Sequence, residues 1–209
     1  MSRPLLISDC DEVLLHMVAH FGAWLGEAHA IDFALNDGQF TDALRRRSDG
    51  SVLKREEIWP LFDGFFATEM HRQTLVPHAR EALTRIAEVA DIVILTNLGD
   101  HCLERRVAQL EAVGIRHRVI CNQGGKGIPV ARLIEELRPS STVFVDDLAI
   151  HHASVAASAP EVWRLHMIAE PTLAPKVSAA SDAHARIDDW ADAVDWVLAR
   201  FEEGHAAIG

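Results

Sequence analysis

The chain has 209 residues, 49% of them hydrophobic and 24% charged, with a formal net charge of −11. That is enough chain for one substantial core and a small inserted module, and the charge argues against general affinity for nucleic acid or an anionic membrane. Cys10, Cys102 and Cys121 are widely spaced with no CxxC pair, so no disulfide framework is expected. The apolar run after Arg3 and Pro4 is too short for a signal core or a membrane span, so the expectation is a cytoplasmic protein.

The first apolar run, Leu5–Ser8, has strand length and ends in Asp9-Cys10-Asp11. Carboxylates cannot be buried cheaply without a partner, so Asp9 and Asp11 need solvent or a cation. From about Leu15 to Pro77 no buried strand is evident. Leu14, Val18, Phe21 and Leu25 fall at helical spacing, as do Ile58, Leu61, Phe62 and Phe65. The stretch is too long for a plain loop and predicts a helical insertion. Arg45–Arg47 within it reads as a solvated helix face.

Beyond Pro77, strand and helix alternate. A helix over Ala79–Ala90 precedes a strand, Ile92–Leu95, that ends in Thr96-Asn97. A helix over His101–Val113, stopped by Gly114, leads to a strand over Arg118–Cys121. "GGKGIP" then supplies Lys126 before a helix over Pro129–Leu137. The strand Thr142–Val145 ends in Asp146-Asp147, and Val162–Ile168 is the last apolar run. Trp190, Val194, Val197 and Phe201 mark a closing amphipathic helix. This alternation predicts an α/β fold: a Rossmann-like parallel sheet with helices on both faces, formed by residues 1–14 and 78–209, with a small helical cap over 15–77.

In such sheets ligands bind beyond the carboxyl ends of the strands, where strand order reverses. Those ends carry Asp9, Asp11, Thr96, Asn97, Asp146 and Asp147, with Lys126 ahead of the strand that ends in the last pair. This order of motifs resembles the haloacid dehalogenase superfamily. Asp9-x-Asp11 with Val13-Leu14 resembles its first motif, Thr96 after an apolar run the second, Lys126 the third and "VFVDD" the fourth. The likeness spans roughly Leu5 to Ala157, and a helical cap between the first two motifs is common in that family.

The resemblance implies a Mg2+-dependent phosphatase acting on a small phosphorylated metabolite, with no nucleic-acid or membrane partner. Asp9 would be the nucleophile and Asp11 the general acid and base. Thr96 and the Asn97 amide would bind phosphoryl oxygens, and Lys126 would neutralise charge. The implied Mg2+ ligands are the Asp9 carboxylate, the Asp11 backbone carbonyl and an acid of the fourth motif, with Asp147 favoured and Asp146 supporting. Two positions depart from the pattern: Glu12-Val13 stands where Gly-Thr is frequent, and His151 stands where a further acid is frequent. Cys10 is expected to be a buried strand-end residue. Two alternatives stay open. A haloacid dehalogenase uses the same aspartate nucleophile but needs no acid at Asp11, and a catalytically silent binding protein can share the fold.

Overall fold

The computed structural model describes residues 2–34 and 43–206. In chain order, β1 (Leu5–Ser8) is followed by β2 (Leu15–His16), α1 (Val18–His29), β3 (Ile31–Phe33), β4 (Leu44–Arg46), α2 (Arg55–Thr68) and β5 (Thr74–Leu75). Next come α3 (Ala79–Ala87), β6 (Asp91–Thr96), α4 (Leu103–Ala112), β7 (Arg118–Cys121), α5 (Gly127–Leu137) and β8 (Thr142–Asp146). The chain continues through α6 (Ala149–Ser158), β9 (Trp163–His166), β10 (Ala185–Arg186) and α7 (Trp190–Glu203).

Among the described residues, six strands form one sheet in the order β10-β9-β8-β1-β6-β7, and every pairing in it is parallel. The α/β fold expected from the sequence is the fold observed. Side chains alternate across the sheet, as the period of two requires. Leu6, Ile94, Val143 and Val145 face one side, against Leu83 and Ile86 of α3 and Trp190, Val194 and Val197 of α7. Leu5, Ile7, Val93, Leu95 and Phe144 face the other, against Val130 and Leu133 of α5 and Val155 of α6. The two helices on that side approach closely at Gly127, where a Cβ would stand 2.1 Å from the Ser154 carbonyl oxygen.

The segment after β1 is less purely helical than its spacing predicts. α1 and α2 are present, but β2 pairs antiparallel with β5, and β3 with β4. Strands of two or three residues are too short to leave a periodic trace. Arg45–Arg47 consequently lies on β4 and the turn after it, not on a helix face; Arg46 pairs with Glu57 and Arg47 with Asp32. The segment has an apolar centre of its own, in which Phe21, Trp24, Leu44, Ile58 and Phe65 meet Ile168 and Leu173 from beyond β9. Residues 35–42 of the predicted cap lie outside the described residues. Among the described residues no helix is long and apolar enough to cross a membrane.

Candidate active site

From β1 the chain proceeds to β6 and β7 on one side and to β8, β9 and β10 on the other, so strand order reverses between β1 and β8. A crevice opens at the carboxyl ends of such a pair. Ser8 is in register with Val145 on one neighbour and Ile94 on the other, which brings Asp9 level with the ends of both. The Asp9 amide donates to the Val145 carbonyl at 2.8 Å and fixes the start of the loop.

Lys126, immediately before α5, is fully buried at the centre of this crevice. Its Nζ lies 2.7 Å from Asp9 Oδ1 and 2.7 Å from Asp146 Oδ2. Burial alone would lower the lysine pKa, but Asp146 and Asp9 more than offset that and raise it, so the ammonium stays charged. Burial pushes the Asp9 carboxyl upward; Lys126 opposes this and Asp146 adds to it. The other oxygen of Asp146, Oδ1, accepts from the Leu148 amide at 2.9 Å. Both oxygens of Asp146 are therefore engaged.

Asp147 completes the group. It, Asp9 and Asp146 each offer a carboxylate oxygen within 4.8 Å of the others. Its pKa is raised well above the ordinary value, by burial first and then by Asp146, Asp9 and Glu12. Three carboxylates against one ammonium leave two negative charges, which a divalent cation matches. The donors are hard oxygens, so the residues fit Mg2+. The backbone beneath them is pinned: Nε2 of His152 lies 3.0 Å from the Asp146 carbonyl and Nε2 of His166 2.8 Å from that of Asp147.

No family model and no curated protein matches the sequence. Solved structures do match the fold. A haloacid dehalogenase-like family hydrolase from Xanthomonas campestris superposes with a TM-score of 0.59 at 16% identity, covering 97% of both chains. A candidate phosphoglycolate phosphatase from Lactobacillus plantarum gives 0.64 at 12% identity, over 93% of this chain and 99% of that one. The candidate HAD-hydrolase YfnB from Bacillus subtilis, bound to magnesium, gives 0.61 at 12%, over 94% and 99%. The fold is that of the haloacid dehalogenase-like hydrolases.

Within this haloacid dehalogenase-like fold, Asp11 points away from the Lys126 cluster's ion pairs into contacts of its own. Nη2 of Arg106 donates to both of its oxygens at 2.9 Å, Nε2 of Gln73 donates to Oδ1 at 2.6 Å, and Thr96 Oγ1 lies 3.4 Å from Oδ2. Thr96 is buried at the end of β6, and Asn97 turns outward. The Asn97 side chain donates to the Gly124 carbonyl at 2.9 Å and accepts from Asn122 at 2.8 Å. His151 Nε2 is 3.2 Å from the Asn97 nitrogen. Cys10 is fully buried, with Arg106 Nη1 at 3.2 Å from its sulfur, and burial raises its thiol pKa.

Three residues at the site were not anticipated from the sequence. Arg106 is wholly buried on α4. Its signal was present: it sits three residues after Leu103 and four before Leu110, on the apolar stripe where a charge needs a partner. Gln73 carries no comparable signal. Glu12 holds a left-handed backbone, φ 59°, which favours glycine. Its Oε1 accepts from the amides of Met17 at 2.7 Å and Val18 at 2.5 Å. Its pKa is raised to about 7 by burial, against those two amides and with Glu170 and Asp11 adding to the rise.

Proposed function

We propose that the protein is a Mg2+-dependent phosphatase that hydrolyses a small phosphorylated metabolite through an aspartyl-phosphate on Asp9. The observation that carries this reading is the Asp9–Lys126–Asp146 ion-pair group, with Asp147 beside it, at the switch between β1 and β8. The likeness to hydrolases of this fold, some described as candidate phosphatases or phosphoglucomutases, supports it.

Mg2+ bound by the Asp9 carboxylate, the Asp11 carbonyl and Asp147 would offset the negative charge of the site and of the phosphoryl group. Asp9 attacks phosphorus, the bond to the ester oxygen breaks, and Asp11 gives that oxygen a proton. Asp11 then takes a proton from water, the water attacks phosphorus, and Asp9 and inorganic phosphate are released. Lys126 holds Asp9 in line and neutralises charge on the phosphoryl oxygens. Before Asp11 can serve the leaving group it must exchange partners with Arg106 and Gln73. The segment bearing α1 and α2 acts as the cap that contacts the leaving group and excludes water.

The Arg106 clamp favours a second reading. A dehalogenase expels halide, which needs no proton, so an Asp11 held by arginine suits it. Turnover of an aryl phosphate with and without Mg2+, beside halide release from a 2-haloacid, separates the two. In 18O-labelled water, attack on phosphorus puts the label into phosphate and leaves Asp9 untouched. Attack on an alkyl ester of Asp9 puts the label into the aspartate. Halide release with labelled Asp9 and no Mg2+-stimulated phosphate release would replace the first reading with the second.

A further inference from the structure

We propose that Glu12, His16 and Glu170 form a second divalent-cation site, suited to Zn2+ rather than Mg2+. One donor atom from each lies within 4.8 Å of the others. They meet because the Ala169 amide donates to the Glu12 carbonyl at 2.9 Å, which lays the chain beyond β9 against the loop after β1.

The side chains are arranged as oriented ligands. Glu12 is 1% exposed; its Oε1 is held by the Met17 and Val18 amides, while Oε2 is buried with no hydrogen-bond partner among the described residues. Glu170 repeats the pattern. Its Oε1 accepts from the Thr172 amide at 3.1 Å and from the Thr172 hydroxyl at 2.8 Å, and its Oε2 faces His16 Nδ1 at 3.9 Å. His16 Nδ1 is itself buried and has no hydrogen-bond partner among the described residues. Glu170 thus has one oxygen fixed by the protein and the other turned toward the imidazole, and Glu12 has one oxygen fixed and the other free to serve a ligand, the outer-shell support expected of metal ligands. Buried polar atoms are almost always satisfied, so two orphans on residues of this group call for a shared partner. The Glu12 carboxylate is carried on a left-handed backbone, φ 59°, a conformation that favours glycine.

One imidazole and two carboxylates make a donor set of the zinc class, since Mg2+ favours oxygen alone. Bond lengths of about 2.0–2.2 Å place donors around a tetrahedral ion roughly 3.4 Å apart. The set therefore has to contract from within 4.8 Å to about 3.4 Å, which rotamer adjustment in Glu170 and His16 can supply. This site does not depend on the phosphatase reading, because none of its three side chains belongs to the Asp9–Asp146–Asp147 group.

The test is calorimetric titration of the EDTA-stripped full chain with Zn2+ in excess Mg2+, together with melting curves with and without Zn2+. Wild type should bind one Zn2+ and melt higher with it. His16→Ala and Glu170→Gln, each checked by circular dichroism, should lose at least about tenfold in Zn2+ affinity and most of the melting shift. Asp147→Asn should keep both. Glu12→Gln is the further variant if either of the first two fails to fold. The proposal is overturned if wild type binds no Zn2+ tighter than about 100 µM, if all variants bind alike, or if only Asp147→Asn loses the ion.

Discussion

At the scale of single residues, Asp146 and Asp147 are adjacent acids with different work. Asp146 has both oxygens occupied, one by Lys126 and one by the Leu148 amide. Asp147 is crowded by like charges. Asp146→Ala removes one of two counter-charges from a buried lysine and should destabilise the fold by about 3 kcal/mol. Asp147→Ala relieves repulsion and should cost under about 1 kcal/mol, while raising the Mg2+ needed for half-maximal turnover at least about tenfold. Urea unfolding and Mg2+ titration of both variants check the pair, and the reverse ranking would move the ligand role to Asp146.

At the scale of elements, α7 reaches the site loop through one bond. Nε1 of the fully buried Trp190 donates to the Val13 carbonyl at 2.8 Å. Trp190→Phe keeps most of the apolar packing but leaves that carbonyl without its donor, so a loss of about 1–3 kcal/mol is expected in urea unfolding; a change under about 0.5 kcal/mol would show the bond to be dispensable. Trp190 also shows what the sequence made legible. Strand-length apolar runs and the helical spacing of Trp190, Val194, Val197 and Phe201 expose the elements, because burial on one or both faces writes its period into the chain. Asp9 and Asp146 were legible because acids directly after an apolar run have few other uses, and Lys126 because "GGKGIP" resembles the third motif of the family. Arg106 left a signal as a charge on an apolar stripe but not the identity of its partner, and Gln73 and Glu170 left none, because the partnerships with Asp11 and with the Glu12 loop join residues far apart in sequence. β2, β3, β4, β5 and β10 were invisible for a different reason: two or three residues carry no period.

At the scale of the whole molecule, acid acts on stability in opposite directions: the raised Asp9, Asp147 and Glu12 carboxyls favour the fold as pH falls, and the depressed histidines oppose it. His184 Nδ1 accepts the Arg164 amide at 3.0 Å, which requires an unprotonated nitrogen. Burial, with Arg164 and Arg200 nearby, lowers its pKa below 6.5, and burial does the same to His117. A depressed folded-state pKa means the unfolded chain binds more protons, so this stability is present above about pH 6.5 and lost as pH falls below it. Between about pH 7.5 and pH 5 the melting temperature of His184→Gln should rise relative to that of wild type; a difference that does not change with pH would remove His184 from the explanation. The sheet, the switch between β1 and β8 and the buried Lys126 converge on one carboxylate. The direct test is Mg2+-supported hydrolysis of an aryl phosphate by wild type and by Asp9→Asn, with both shown to be folded. An amide cannot attack phosphorus at a useful rate, so the variant should fall by about 10⁴-fold or more, and an Asp9→Asn rate within a few-fold of wild type would contradict the assignment of Asp9 as nucleophile.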